Sequence, residues 1–175
     1  KHLLIIFSLL LTSVSWSKDF DLMEFIETGY ERLWSKDVDW KDLYESNGLL
    51  YQKYTDKPFT GKSTGIEQGR IIKGIRQGKW KVYYESGKLH YKGNYKDGKQ
   101  NGEWLRYFGG NGQLKEKGNY KDGKLNGELL KYDVNGQLRY KLNYKDDKLD
   151  GEWLYYKENG QLDSKLNYKN GELIN

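Results

Sequence analysis

Cysteine is absent from this 175-residue sequence, so disulfides, thiolate metal sites and cysteine nucleophiles are excluded. Proline occurs once, at Pro58, beside 21 glycines, a balance that suits many tight turns between strands. Apolar residues are also scarce, at 36% with a mean hydropathy of -0.98, yet aromatic residues reach 15%, far above the content of a disordered chain. We therefore expect the apolar burial of this protein to come mostly from rings.

Arginine is the second scarce residue. The formal net charge of +5 comes from 30 lysines and arginines against 25 acidic residues, and only five positions are arginine. These positions are Arg32, Arg70, Arg76, Arg106 and Arg139. Lysine is spread through the chain beside acidic residues, which is typical of a solvated surface, whereas a nucleic-acid groove more usually carries clustered arginine. The composition argues against a nucleic-acid-binding protein.

Residues for catalysis or metal binding are also missing. The histidines are His2 and His90, and neither has a partner constellation in the sequence for acid–base chemistry. Asp97 and Asp146 lack further acidic ligands at the alternating spacing of a calcium loop, so we interpret them as turn formers. The sequence predicts a protein that is not an enzyme, with no catalytic residue, no metal site and no cofactor.

The first 17 residues have the pattern of a secretory signal peptide. Lys1 and His2 precede an apolar run from Leu3 to Leu11, which small and polar residues follow. This run is too short to span a bilayer stably. We expect export to the periplasm, the cell surface or the medium, with no membrane span after cleavage; an uncleaved anchor is the alternative.

Residues 18–42 are predicted to form an N-terminal helix or cap. Apolar residues fall three or four positions apart between Lys18 and Leu33, behind an acidic start, as in an amphipathic helix. The residues from Trp34 to Trp40 show no clear period and are interpreted as a polar bridge. Because the end of a repeat array needs a cover, we expect the helix to cap the array; a free partner-binding helix is the alternative.

Residues 43–175 are predicted to form one repeat domain. The opening glycines Gly78, Gly102, Gly127 and Gly151 stand 24, 25 and 24 residues apart, and imperfect copies begin before Gly78. A fixed period of this length indicates a repeat architecture. The whole domain is therefore expected to be built from one small unit.

Two turn signals divide each unit into two strands. The first signal is Ser86-Gly87 and its three Asn-Gly counterparts, and the second is Asp97-Gly98 and its counterparts. Such pairs readily take the positive φ angles of a type I′ hairpin turn. The predicted fold is mainly β: an elongated antiparallel meander of repeated hairpins, about 24 residues per repeat, with a short N-terminal helix.

A two-residue turn at Ser86-Gly87 predicts the register of the first complete hairpin. It places Tyr84 opposite Leu89, Val82 opposite Tyr91 and Trp80 opposite Gly93, with the Trp80 ring over that glycine. The same register in the last repeat sets Trp153 against Leu166 and Tyr155 against Ser164. One face of the sheet is then rich in Trp, Leu and Tyr, and the other is mixed.

The repeated unit resembles a known family. The pattern G-x-W-x-x-Y-Y-x-x-G-x-L, followed by x-G-N-Y-K-D-G-K, is similar to the MORN-repeat variant of bacterial proteins in the YwqK-like antitoxin family. The resemblance covers Leu43 to Asn175. It implies an elongated, single-layer β-meander that binds another protein, and it supplies no catalytic residues. The signal peptide departs from the cytosolic location expected of a toxin neutraliser.

The predicted function is protein recognition by a non-enzymatic, exported scaffold, either antitoxin-like or surface-associated. A helix of about 24 Å cannot cover a sheet near 38 Å wide, so we expect the partner to contact the aromatic face around Trp104 and Trp153. The candidate binding residues are Trp80, Tyr84, Trp104, Trp153 and Tyr155. Two alternatives remain: the rings stack on cell-wall carbohydrate, because G-x-W-x-Y-Y also resembles repeats of wall-anchored bacterial proteins, or they only hold the sheet together.

Overall fold

A computed structural model describes residues 36–174 of the chain. The predicted signal peptide and the predicted helix between Lys18 and Leu33 lie outside these residues. Within residues 36–174, fifteen strands and one 3₁₀ turn, Trp40–Asp42, follow one another. The strands are β1 Lys36–Asp39, β2 Leu43–Ser46, β3 Leu49–Gln52, β4 Gly61–Thr64, β5 Glu67–Ile72, β6 Ile75–Tyr83, β7 Leu89–Lys96, β8 Lys99–Gln100, β9 Gly102–Tyr107, β10 Leu114–Lys121, β11 Lys124–Tyr132, β12 Leu138–Lys145, β13 Lys148–Tyr156, β14 Leu162–Lys169 and β15 Glu172–Ile174.

One long sheet contains all of these strands except the small β2–β3 hairpin. From β4 to β15 each strand pairs antiparallel with the next along the chain, except that β7 pairs with both the short β8 and β9. The predicted meander of repeated hairpins is therefore confirmed. With neighbouring strands about 4.8 Å apart, the sheet is on the order of 50 Å wide.

Strand β1 adds a feature that the sequence did not reveal. It lies within the segment that we interpreted as a polar bridge, and it pairs in parallel with β4, so that Val38 faces Ser63. Val38 is buried, and the Asp39 side chain accepts a hydrogen bond from the Lys41 N–H at 3.0 Å to begin the 3₁₀ turn. A strand with one buried apolar residue is too short to show a period, and a parallel partner 25 residues away leaves no local signal.

The two predicted turn types behave differently. At Asp97-Gly98 both residues have positive φ, 51° and 75°, as a type I′ turn requires, and the three counterparts do the same. At Ser86-Gly87 only the glycine does, at 79°. There the Gly87 N–H donates to the Tyr84 carbonyl and the Tyr84 N–H to the Lys88 carbonyl, which describes a three-residue loop with a bulge. The type I′ prediction is confirmed at the second set of turns and wrong at the first.

The longer loop changes the predicted register near the turn. Trp80 pairs with Gly93 and Val82 with Tyr91, as predicted, but the pairing then shifts and Tyr83 faces Leu89. The prediction that Tyr84 faces Leu89 is wrong, because the loop inserts one extra residue into β7. In the last repeat Trp153 pairs with Leu166 and Tyr155 with Ser164, as predicted.

A row of paired residues crosses the middle of the sheet and forms most of its core. We call the side of the sheet that carries this row the tryptophan face. Cross-strand pairing defines the row as Val38, Ser63, Gly69, Trp80, Gly93, Trp104, Gly118, Leu129, Leu142, Trp153 and Leu166. Its side chains are buried from Val38 to Leu142 wherever they are larger than glycine, and the last two are only half-buried. Large residues alternate with glycine in the first half of the row.

Each early tryptophan lies over the glycine of the preceding strand. A Cβ atom built on Gly69 would be 1.8 Å from the Trp80 ring, and one built on Gly93 would be 2.2 Å from the Trp104 ring. Gly93 therefore serves to admit a ring, as predicted, but the ring is Trp104 and the prediction of Trp80 is wrong. Both indoles are paired with a glycine on each side, and the direction in which they lean depends on packing along the whole row.

The N-terminal end of the domain has a conventional core around Arg76. Buried residues of five strands between β1 and β6, together with Phe59 from the loop before β4, form this core: Val38, Leu43, Leu50, Phe59, Ile71, Trp80 and Val82. The Arg76 guanidinium lies 5.3 Å from the Trp40 ring centre and 5.6 Å from that of Trp80, and it pairs with Glu45 at 3.3 Å. Burial raises the pKa of Glu67, and Arg76, 4.0 Å away, opposes the rise. This cation joins the small hairpin to the first repeat.

Candidate functional site

The five predicted binding residues divide into interior and surface residues. Trp80 and Trp104 are 1% and 6% exposed, so their rings are interior groups. Tyr84 is half-buried: its hydroxyl donates to the Tyr107 carbonyl at 2.9 Å, and its ring lies 4.2 Å from that of His90. These three side chains hold neighbouring strands together.

Trp153 and Tyr155 lie together at the other end of the sheet and are partly exposed. Trp153 pairs with Leu142 and Leu166, where Trp80 and Trp104 pair with glycines, so larger side chains flank its indole. The Tyr155 hydroxyl accepts a hydrogen bond from Arg139 at 2.9 Å, and its ring lies 5.1 Å from that of Tyr140. Of the predicted set, these two residues form the one neighbouring pair with accessible ring surface.

A small aromatic cavity opens on the tryptophan face between β7, β9 and β10. Its volume is about 160 Å³, and the rings of Tyr91, Tyr95, Trp104 and Tyr120 line it together with Gln100, Leu105, Arg106 and Glu116. The Tyr95 and Trp104 rings meet edge to face at 5.0 Å, and burial raises the pKa of all three tyrosines. Rings beside an arginine and a carboxylate can stack on a flat apolar group and hydrogen-bond its polar substituents.

The sequence pattern did not identify this cavity, because its members come from four strands, β7 to β10. Tyr91 is replaced by Glu116 in the next repeat, and Arg106 pairs across the sheet with both of them. A consensus pattern of the repeats does not show positions at which single repeats differ. Comparing equivalent positions between repeats would have shown that this pair of strands differs from the others.

The opposite side of the sheet, which we call the lysine face, carries a second row. Lysine and leucine alternate along most of it: Lys81, Lys92, Leu105, Lys117, Leu130, Lys141, Leu154 and Lys165. A parallel row pairs each repeat's tyrosine with a leucine: Tyr83 with Leu89, Tyr107 with Leu114, Tyr132 with Leu138 and Tyr156 with Leu162. The leucines from Leu105 to Leu154 and all four tyrosines are half-buried, so the lysine face offers apolar surface between charges.

Ion pairs recur on the lysine face in the last three repeats. Lys117 lies 2.7 Å from Glu103 and Lys141 lies 2.6 Å from Glu128, and Lys165 pairs with Glu152 in the same way. The hydrogen bond to Glu103 raises the pKa of Lys117. Each pair is exposed and contributes little stability by itself. The ion pairs nevertheless restrict the positions of the lysine side chains that lie between the leucines.

Within residues 36–174, the neighbours of the His90 ring are aromatic rings and cationic side chains. Its ring contacts those of Tyr84 and Tyr91, and burial together with the charges of Arg106 and Lys115 lowers its pKa. Residues 36–174 contain no group of three or more His, Asp or Glu side chains that could hold a metal ion. In the same range, no helix has the length and apolar character needed to cross a membrane.

Comparison with known families matches the four regular hairpins. The family described as MORN repeat variant matches residues 76–97, 100–122, 125–146 and 149–170, and each match covers one pair of long strands. No curated protein matches the chain. The matched family is one of binding repeats and is not a known enzyme class. Since these units make up half of the sequence, the chain belongs to the MORN repeat variant family.

Proposed function

We propose that this protein is a non-enzymatic scaffold that recognises a protein partner through its lysine face. The observation that carries the proposal is the row in which half-buried leucines alternate with lysines from Leu105 to Lys165. It runs beside a row of tyrosines, on the side of the sheet away from the core row. Tyrosine is enriched at protein interfaces because one side chain supplies both apolar area and a hydroxyl. The tyrosines recur in all four hairpins and the leucines of the row in the last three, so this surface extends across the domain.

The dimensions of the lysine face suit a protein partner. From β6 to β14 the row crosses eight long strands, which at about 4.8 Å per strand gives a stripe roughly 35 Å long. A standard interface buries about 800 Å² on each partner, and a stripe of this length and about 20 Å of width approaches that area. The ion pairs that hold Lys117 and Lys141 reduce the side-chain entropy that association would otherwise cost.

The tryptophan face is a weaker candidate for a large interface. Trp80 and Trp104, the most apolar of the predicted contacts, are already buried against the sheet. A partner on that face would contact the exposed edges of tyrosine rings, and the pair Trp153 and Tyr155 at the far end of the sheet. The prediction that Trp153 contacts the partner is retained and is tested separately below.

A photo-crosslinking experiment tests which face binds. Benzoylphenylalanine at Leu130, in cells of the native host, is expected to give a discrete adduct with one protein after illumination. Lys131 is the matched control, because it is the next residue, is exposed, and points to the tryptophan face. A discrete adduct from Lys131 alone, or none from either position, would contradict the proposal.

Carbohydrate binding is the second candidate function, and the aromatic cavity is the observation that favours it. Tyr91, Tyr95 and Tyr120 could stack on a sugar ring, while Arg106 and Glu116 could hydrogen-bond its hydroxyls. Co-sedimentation with purified cell-wall polymer tests this function. Binding that is lost in Tyr91→Ala, without loss of the Leu130 adduct, would assign the polymer to the cavity and the protein to the other face.

We further propose that the protein is exported, because a basic start, an apolar run from Leu3 to Leu11 and a small-residue exit precede the domain. Mass spectrometry of the mature protein is then expected to show an N-terminus near Trp16 or Lys18. Recovery of the uncleaved chain from the cytosol would contradict export. That result would favour the antitoxin-like role, in which the partner of the lysine face is an intracellular toxin.

A further inference from the structure

The first regular repeat departs from the other three on the lysine face. Later repeats begin Gly-Glu-Trp-Leu or Gly-Glu-Leu-Leu, whereas the first begins Gly-Lys-Trp-Lys at residues 78–81. Lys79 thus stands where the others have the glutamate of the ion pair, and Lys81 where they have a leucine of the row. With Lys92, the counterpart of Lys117, the first repeat has three lysines at positions that elsewhere hold one lysine, one glutamate and one leucine. We call these three residues the lysine triad.

The lysine triad lines a shallow cleft. Lys81 and Lys92 are direct cross-strand partners, and Lys79 is two residues before Lys81 on the same face. The cleft has a volume of about 220 Å³, and its other walls include Glu103 and Leu105. The one carboxylate there, Glu103, is 2.7 Å from Lys117, which neutralises it.

Within residues 36–174, no carboxylate lies within 4.0 Å of a triad ammonium group. The Lys92 ammonium lies instead over the Tyr107 ring, 5.8 Å from its centre. Lys79 and Lys81 are exposed. The triad therefore places three positive charges close together in the cleft, at the end of the leucine and tyrosine rows.

This arrangement opposes the stability of the sheet. Like charges directly opposite each other on neighbouring strands are destabilising, and Lys81 and Lys92 are such a pair. In the three other repeats the positions of Lys79 and Lys81 hold glutamate and leucine, so the lysine equivalent to Lys92 faces a leucine there. Positions that depart from a pattern kept by the three equivalent repeats are expected to be functional.

We propose that the lysine triad binds acidic side chains of the protein partner, an inference that rests on the proposed function of the lysine face. The triad continues the apolar rows, so a single protein segment can place leucine-like groups on Leu105 and carboxylates on the triad. Three separate ammonium groups match dispersed carboxylates, whereas the planar fork of arginine is the group that favours phosphate.

Fluorescence anisotropy with a labelled peptide of alternating glutamate and serine tests the triad on the full chain. The double variant Lys79→Glu/Lys81→Leu restores the sequence of the later repeats, so folding is preserved. We expect it to bind the peptide on the order of tenfold more weakly at low salt, with a flatter salt dependence. We also expect its Tm to rise by about 2–4 °C, because the like-charge pair is removed.

The control variant is Lys124→Gln/Lys145→Gln/Lys148→Gln. It changes the net charge by the same three units, all three lysines are exposed, and Lys145 and Lys148 are also a cross-strand pair of like charge. We expect it to bind the peptide within about twofold of the unmodified chain. An equal loss in both variants would overturn the proposal, since attraction would then follow net charge alone.

Two further outcomes would overturn the proposal. One is failure of the unmodified chain to bind the peptide at low salt. The other is tighter binding of inorganic polyphosphate than of the peptide, which would assign the triad to phosphate. If the Leu130 adduct forms equally well in Lys79→Glu/Lys81→Leu, the triad assignment fails while the function proposed for the lysine face stands.

Discussion

Replacing Gly69 by alanine is expected to destabilise the domain by about 3 kcal/mol, because the new methyl group would overlap the Trp80 ring. The Cβ position lies 1.8 Å from Cε3 of that ring. The ring cannot move aside easily, since it is 1% exposed and is held between Trp40 and Tyr95, with edge-to-face centre distances of 6.3 and 5.7 Å. Thermal unfolding followed by circular dichroism should show a Tm lower by about 10 °C.

Two other glycines serve as controls for this result. Gly110 has no atom within 4 Å of its Cβ position and no positive φ, so Gly110→Ala should change stability by less than about 0.5 kcal/mol. Gly118 has the end of the Leu129 side chain at 2.8 Å, a group that can rotate away, so Gly118→Ala should cost about 1 kcal/mol. Equal losses at Gly69 and Gly110 would show that the ring contact does not determine the requirement for glycine.

Replacing Trp104 by alanine is expected to cost about 4 kcal/mol, as truncation of a buried ring does. The Trp104 ring is 6% exposed and meets the rings of Tyr91, Tyr95 and Tyr120 at centre distances of 5.9, 5.0 and 6.3 Å. Its indole N–H also donates to the Asn94 carbonyl at 3.2 Å. The truncation would leave a cavity on the sheet and remove one of two hydrogen bonds to the Asn94 carbonyl, which also accepts from the Asn101 N–H at 2.8 Å. Urea unfolding measures the combined loss.

Trp153→Ala is the matched variant at the exposed end of the same row. Its ring is half-buried and contacts that of Tyr168 at 5.8 Å, so we expect a smaller loss, about 2 kcal/mol. The affinity of folded Trp153→Ala for the protein crosslinked at Leu130 decides whether Trp153 contacts the partner. Unchanged affinity would reject a binding role for Trp153, and a loss equal to that of Trp104→Ala would contradict the burial argument.

The burial of the tryptophans explains how one layer of strands holds together. An ordinary sheet packs its apolar face on another layer. Here the small hairpin covers the face only at the Trp80 end, and both Trp80 and Trp104 lie over glycines of the same face. Each ring removes its own surface and the backbone beneath it from water. The tryptophan face thereby supplies stability, and the lysine face is left to carry the charges and half-buried leucines that we assign to binding.

The repeat architecture and much of the local structure followed from the sequence. The 24-residue period, the strand-length segments and the Asp-Gly pairs were enough to predict the meander and the type I′ turns, because these depend on residues close together in the chain. The pairing of Trp80 with Gly93 followed from alternation along the strands. These turn and strand patterns depend on neighbouring residues and occur in each of the four repeats, so each prediction rests on four independent copies.

Only the tertiary structure decided which residues are accessible. Trp80, Trp104 and Trp153 share one motif position, yet two are buried and one is half-exposed, because their cross-strand neighbours are glycines in one case and leucines in the other. The leaning of Trp104 onto Gly93 and the parallel pairing of Val38 also depend on strands that meet only in the folded sheet. Local sequence determines that a strand carries a tryptophan, but packing across the sheet determines whether that tryptophan serves the core or the surface.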